Sequence, residues 1–462
     1  MPNVAQDRRR AFALFLFVAV LLQLPLVLNR GYFNHDELQW LWLSDTDTWQ
    51  QVPWVALGAL DAFQYRPLTF NLWLAFAHLF GYVPMAMHAT WVLIGLCNAC
   101  LLRSCALRLG ALPVHAGSAA IVFLLSPYVV YTHAWIGTLA DLLFLMFALL
   151  GVVWLCRARK ADSASFSEYA KDAAPIAVLT TLALLSKEAA VTFPLLLLCA
   201  WPIRHRRVFV PVATSACVVA VYLILRVGVI LFAPRLPGGY TWNLANIPTR
   251  LTEYSLFPFY RHGFEIAGFD IHRLSAIALP LLAASMVIAA VASTGLRRCF
   301  FLALGWAAFL GPILILDSHS NIYAYVATAF ACAYLAVTAR QMKSWAKCLL
   351  ALPIVLVISH GLYVGHRMLH IGSMQQHLYA DLQPLLVTAT ADAPLRIRAM
   401  QSSDDFVVRR LLHAIPSYHR VPLAERVKVI QHDAKPQEPP TQLMKPSGRL
   451  IPAAALSAQG GE

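Results

Sequence analysis

Eleven charge-poor apolar runs recur between residues 11 and 365, at about 11–28, 84–107, 111–130, 135–156, 174–186, 189–203, 208–232, 274–295, 299–316, 323–339 and 347–365. Most approach the roughly 20 residues that a helix needs to cross about 30 Å of hydrocarbon. The chain is 59% hydrophobic and only 13% charged, whereas soluble domains sit near 45–50% apolar and about 25% charged. This balance excludes an ordinary soluble enzyme and implies an all-α integral membrane bundle of about eleven transmembrane helices. Runs 174–186 and 189–203 are short and separated only by Lys187 and Glu188, so they read as two short helices meeting at a membrane face.

The remaining charges orient the bundle. With the N-terminus inside, the short inner connections hold 17 of the 25 Lys and Arg residues before position 366, among them Arg8 to Arg10, Arg204, Arg206, Arg207, Arg297 and Arg298. Only Asp7, Asp162, Glu168 and Asp172 offset them, the asymmetry expected of cytoplasmic segments. An odd number of spans then sends the C-terminal tail outside. Most of the net charge of +13 is thereby a topological signal, and no aromatic-basic module points to nucleic acid. The opening segment lacks a small-residue cleavage site and reads as a retained first helix.

All nine cysteines fall in spans or near their inner ends, which leaves no external disulfide framework. Cys97 and Cys100 form a C-x-x-C, but without a second ligand pair they read as packed apolar thiols rather than metal ligands.

Residues 1–365 are expected to form the transmembrane domain, with long external loops at about 29–83 and 233–273. Trp40, Trp42, Trp49 and Trp54 suit an interfacial segment, and "YRPLTFNLWLAFAHLFG" reads as a helix in the outer interface. In the tail, "PLRIRAM", "SSDDFVVRRLLHAI" and "ERVKVIQ" read as strand, amphipathic helix and strand. A small external α/β element over 366–432 follows, then a Pro-, Gln- and Ala-rich disordered tail over 433–462.

Ionisable residues in or beside spans are costly and are functional candidates by default. Asp36 and Glu37 follow the first span; one of such a pair can act as general base on a hydroxyl while the other holds a partner group, although taken alone the pair reads more readily as solvated loop charges or interface anchors. Arg66, Lys187, Glu188 and Arg226 are expected at the same external end, where cations can bind and stabilise a phosphate leaving group. Asp141, about two turns into its span, requires a partner such as Lys187 or Arg226. Tyr65, His319 and Tyr323 are further candidates for substrate contact.

Taken in order, the loop acid pair, "YRPLT", an "AW…AD" segment ending at Asp141, "LLSKE" leading to "TFPLLLL", the "YLILR" span and "YAYVATAF" resemble the multi-spanning C-type glycosyltransferases, closest to the protein O-mannosyltransferase group. The similarity covers roughly residues 10–340. It implies inverting transfer of a sugar from a polyprenyl-phosphate carrier to an acceptor hydroxyl outside a membrane such as a bacterial inner membrane. Asp36 would be the general base and Glu37 its neighbour, with Arg66, Lys187 and Arg226 engaging the carrier phosphate. The implied partners are the lipid-linked donor, a protein, glycan or lipid acceptor and membrane lipids; no metal or cofactor is required. A glycan polymerase or ligase is the nearest alternative, using Arg235, Arg250, Arg261 and Arg273 for a second lipid-linked substrate. A transporter ranks below both because no inverted repeat is evident.

Overall fold

The computed structural model describes residues 2–46, 64–157, 166–198, 201–232, 241–413, 415–432 and 439–454. They are mostly helical, and eight helical segments are long and apolar enough to cross a membrane. The chain opens with α1 (Pro2–Val27), α2 (His35–Thr46), α3 (Pro67–Phe80) and α4 (Pro84–Arg108). Then come α5 (Pro113–Leu124), α6 (Pro127–Ala134), α7 (Leu139–Arg157), α8 (Phe166–Ser186), the short α9 (Phe193–Leu197) and α10 (Trp201–Phe232). After α11 (Asn246–Leu256), the helices α12 (Leu274–Ala292), α13 (Leu296–Leu310), α14 (Tyr325–Thr338), α15 (Ser344–Leu349) and α16 (Ala351–Leu386) complete the bundle.

Proline sets much of this segmentation. Helices α3 to α6 each begin with Pro in the first turn, where its missing N–H costs nothing and its fixed φ favours the helix. Between α5 and α6 the Ser126-Pro127 step interrupts one apolar run and bends it by 58°, so the sequence run 111–130 becomes a broken pair. Helix α16 crosses at that break: a Cβ on Gly361 would run into the Leu125 carbonyl, so close backbone approach requires glycine there.

Eight of the eleven sequence runs thus coincide with long apolar helical segments, and the broken pair makes a ninth. The remaining two are short, as expected: α8 ends at Ser186, Lys187 is extended, and a 3-10 turn over Glu188–Thr192 leads into α9. The aromatic half of the first loop does form a helix, α3, whose Trp73, Leu74 and Ala77 are buried against the bundle. Trp49, Trp54 and Arg235 lie outside the described residues.

A polar relay ties four helices together in the bundle core. His133 in α6 reaches Gln23 in α1 at 2.8 Å and the Tyr325 hydroxyl in α14 at 3.0 Å. Asn98 in α4 donates to the same hydroxyl at 3.2 Å. All four residues are buried, and each hydrogen bond spares a polar group the cost of standing unpaired in an apolar interior.

The tail departs from expectation in two places. Helix α16 continues through His366 to Leu386, because Met368, Ile371, Met374, Leu378, Tyr379 and Leu382 keep one face buried beyond the apolar run. Its 36 residues reach about 54 Å at 1.5 Å per residue, well past about 30 Å of hydrocarbon. Beyond it, β1 (Leu395–Ala399), α17 (Asp405–Leu412), a hairpin of β2 (Ser417–Tyr418) and β3 (Val421–Pro422), and β4 (Val427–Val429) match the strand-helix-strand reading. Two further strands, β5 (Gln442–Met444) and β6 (Leu450–Pro452), stand where disorder was expected and complete a sheet ordered β4-β1-β5-β6. Asp381 of α16 anchors this edge, accepting from Arg449 Nη1 at 2.7 Å and from the Leu450 N–H at 3.0 Å.

Candidate functional site

Glu37 and Asp36 stand side by side in the first turn of α2 but occupy different environments. Glu37 is fully buried. Its Oε2 accepts the N–H groups of Phe33 at 2.7 Å and Asn34 at 2.9 Å, and its Oε1 accepts that of Ile136 at 2.6 Å. These bonds cap α2 and lock it to the segment just before α7. Burial outweighs the three N–H donors and pushes the Glu37 carboxyl up to about 7. Asp36 is only partly buried, so of the two acids it is the more accessible to solvent.

The same scaffold carries the cations. Ile136 also accepts Trp73 Nε1 of α3 at 3.2 Å, and Thr69 of α3 donates to the Ser186 carbonyl at 2.9 Å. Helix α3 therefore fixes both Arg66, the residue that precedes it, and the Ser186-Lys187 break. Lys187 is paired with Asp141 of α7, each side chain being 5% exposed. Arg66 Nε donates to Glu188 Oε2 at 2.8 Å. Glu188 Oε1 is buried and meets no hydrogen-bond donor among the described residues.

Arg226 of α10, itself buried, places its guanidinium 5.3 Å from the centre of the Tyr65 ring. Lys187 Nζ lies 5.3 Å from the Tyr323 ring centre. Arg66 and Glu188 act electrostatically on both Lys187 and Asp141, and Glu188, Arg226 and Arg66 all act on Tyr222. Six residues singled out in the sequence, Arg66, Asp141, Lys187, Glu188, Arg226 and Tyr323, with Tyr65 beside Arg226, thus form one cluster with three cations against two carboxylates.

His319 belongs to a neighbouring group instead. Burial and the Arg250 guanidinium hold it below the usual histidine range. Arg250 is engaged by Glu253 at 2.6 Å and by the Leu316 and Asp317 carbonyls. Arg273 pairs with Asp270 at 3.1 Å on the surface.

A third anchor was not visible in the sequence. Glu265, in the loop after α11, accepts from the two terminal guanidinium nitrogens of Arg410 from α17, Nη1 at 2.7 Å and Nη2 at 3.3 Å, and from the Tyr131 hydroxyl of α6. The Arg410 guanidinium lies 4.6 Å from the centre of the Phe33 ring, and Phe33 supplies one of the N–H groups to Glu37. The tail, the loop after α11 and the acid pair therefore meet at one end of the bundle.

Among the described residues no three His, Cys, Asp or Glu side chains are grouped as metal ligands, and Cys97, Cys100, Cys105, Cys156, Cys217, Cys299, Cys332 and Cys348 are free thiols. Comparison with protein-family models, with curated proteins and with solved structures finds no match to this chain.

Proposed function

We propose that this chain is an integral membrane glycosyltransferase that moves a sugar from a polyprenyl-phosphate carrier to an acceptor hydroxyl, with inversion, at the outer face of a bacterial inner membrane. The observation that carries the reading is that Arg66, Lys187 and Arg226, from three distant segments, gather in one cluster in which Lys187 pairs with Asp141 and Arg66 with Glu188, while Arg226 packs on the Tyr65 ring and acts with Arg66 and Glu188 on Tyr222. The basic inner connections support a cytoplasmic N-terminus, and the docking of α17 on the loop after α11 supports a tail on the same face as Asp36.

In this mechanism Asp36 removes the acceptor hydroxyl proton. The acceptor oxygen bonds to the anomeric carbon as the bond from that carbon to the phosphate oxygen breaks, and the electron pair leaves with the polyprenyl phosphate. Lys187, immobilised by Asp141, and the two guanidinium groups offer fixed positive charge where negative charge accumulates, so no reorganisation is needed during the reaction. Glu188 Oε1, buried with no hydrogen-bond donor among the described residues, is suited to accept a sugar hydroxyl. Glu37 positions Asp36 through the backbone bonds that hold the start of α2.

The polymerase alternative loses ground because Arg250 and Arg273, two of its loop cations, are already paired within the loop region. The test is transfer from a radiolabelled polyprenyl-phosphate sugar in membranes carrying the protein. Wild type transfers label and Asp36→Asn at equal expression does not; full transfer by the variant would remove Asp36 as base.

A further inference from the structure

The side of the bundle built from α5 and α12 to α16 holds a second feature that the proposed reaction does not use. A cavity of about 530 Å³ lies between α5, α12, α13, α14 and α16, and its lining is almost wholly apolar. Ile288 and Ile354 in its wall are 59% and 37% exposed, so large apolar side chains face it without protein cover. At the base stand His115, at the start of α5, and Lys347 in α15. At the top it is lined by Leu251 and Ser255 of α11, where Trp306 Nε1 donates to Ser255 Oγ at 3.1 Å.

Length and charge together specify the occupant. From His115 to Ser126, both lining residues, the α5–α6 backbone rises about 16 Å at 1.5 Å per residue, which is the depth of one leaflet of a hydrocarbon core about 30 Å thick. The base is one-sidedly basic: Arg297, Arg298, Arg340, Lys343 and Lys347 follow in a stretch with no acidic residue from 271 to 316 or from 318 to 380. His115 Nδ1 is buried and meets no hydrogen-bond partner among the described residues. Next to Lys347, Trp345 is 53% exposed, as interfacial tryptophans are.

We propose that this cavity binds one anionic phospholipid of the leaflet at the Lys347 end, with its phosphate at His115 and Lys347 and one acyl chain running up to the Ser255–Trp306 roof. The proposal rests on the membrane placement above and not on the transferase reading. A long polyprenyl carrier bound for the Lys187 cluster would have to present its phosphate at the opposite end, which distinguishes the two sites. Filling the cavity adds apolar contacts to the α12 and α13 side chains that line it.

Native mass spectrometry of the full-length protein in detergent, titrated separately with dioleoyl phosphatidylglycerol and dioleoyl phosphatidylcholine, tests it. Wild type is expected to retain one phosphatidylglycerol several-fold more tightly than phosphatidylcholine, since a basic residue at the surface is worth about 1 kcal/mol toward an anionic headgroup. Lys347→Ala with His115→Ala should abolish that preference while leaving weak binding of both lipids. Ala303→Trp, which places an indole in the cavity from an exposed position, should remove the bound lipid altogether. Equal retention of the two lipids by wild type, a preference unchanged in the double variant, or undiminished binding in Ala303→Trp would each overturn the site. Sugar transfer is not read in this experiment, so a failed transfer assay leaves it standing. Release of the protein from membranes by alkaline carbonate would instead sink the membrane placement on which both readings depend.

Discussion

Lys187 and Asp141 lie 46 positions apart and meet as an ion pair whose side chains keep only 5% of their surface exposed. Removing one partner of such a pair leaves the other charge buried and uncompensated, at a cost of about 3–5 kcal/mol, whereas replacing both with apolar groups is often neutral. Lys187→Ala is therefore expected to lower the melting temperature in detergent sharply. Lys187→Met combined with Asp141→Leu should recover most of it yet remain inactive in sugar transfer. A double variant that transfers at the wild-type rate would confine the pair to a structural role.

The Arg66–Glu188 bridge behaves differently because its side chains are 21% and 27% exposed. Bridges of that kind contribute about 1 kcal/mol or less to stability, so Arg66→Ala should fold normally. A charge-assisted hydrogen bond to a donor phosphate is worth about 1.5–3 kcal/mol. The KM for the lipid-linked sugar should accordingly rise about 10-fold or more in Arg66→Ala. An unchanged KM with intact folding would exclude Arg66 from donor binding.

Legibility in the sequence followed the range of the interactions involved. The long apolar helices could be read because each is a continuous run whose composition carries the signal, and the broken α5–α6 pair escaped only because Ser126-Pro127 cuts such a run in two. Lys187, Asp141, Arg66 and Arg226 stood out singly because ionisable groups near spans are costly, but their convergence came only with the packing of α3, α7, α8 and α10. The Glu265–Arg410 bridge spans 145 positions, and no local pattern marks either residue. Strands β5 and β6 are three residues each, too short for alternation to show, and β5 depends on β1, more than forty residues earlier, for its pairing.

That bridge makes a prediction of its own. Arg410→Ala removes two hydrogen bonds to Glu265 and the guanidinium packed on Phe33, a loss of about 1.5–3 kcal/mol for a charged hydrogen-bonded group. The small tail domain should then cleave faster under limited proteolysis in the turn around Thr390–Ala393, with the helical bundle intact. Arg410→Lys, which keeps the charge but not the fork, should fall between. Equal cleavage of wild type and Arg410→Ala would mean that other contacts, such as Asp381 with Arg449, hold the tail without it.

Glu37 links the fold to pH. Burial raises its carboxyl from about 4.5 to about 7 in the folded protein. The folded state therefore binds more protons than the unfolded state between those values, and stability falls as pH rises through that interval. The contribution is fully present below pH 4.5 and lost above pH 7. Glu37→Gln cannot titrate, so its melting temperature should lack this component of the slope. It should also melt lower at acid pH, because Glu37 receives N–H groups on both oxygens and an amide can accept on only one, leaving a donor facing a donor at a cost of about 1–3 kcal/mol. Thermal unfolding in detergent at pH 5 and pH 8 reads both effects, and wild-type and variant curves that shift in parallel with pH would show that Glu37 does not titrate in this range.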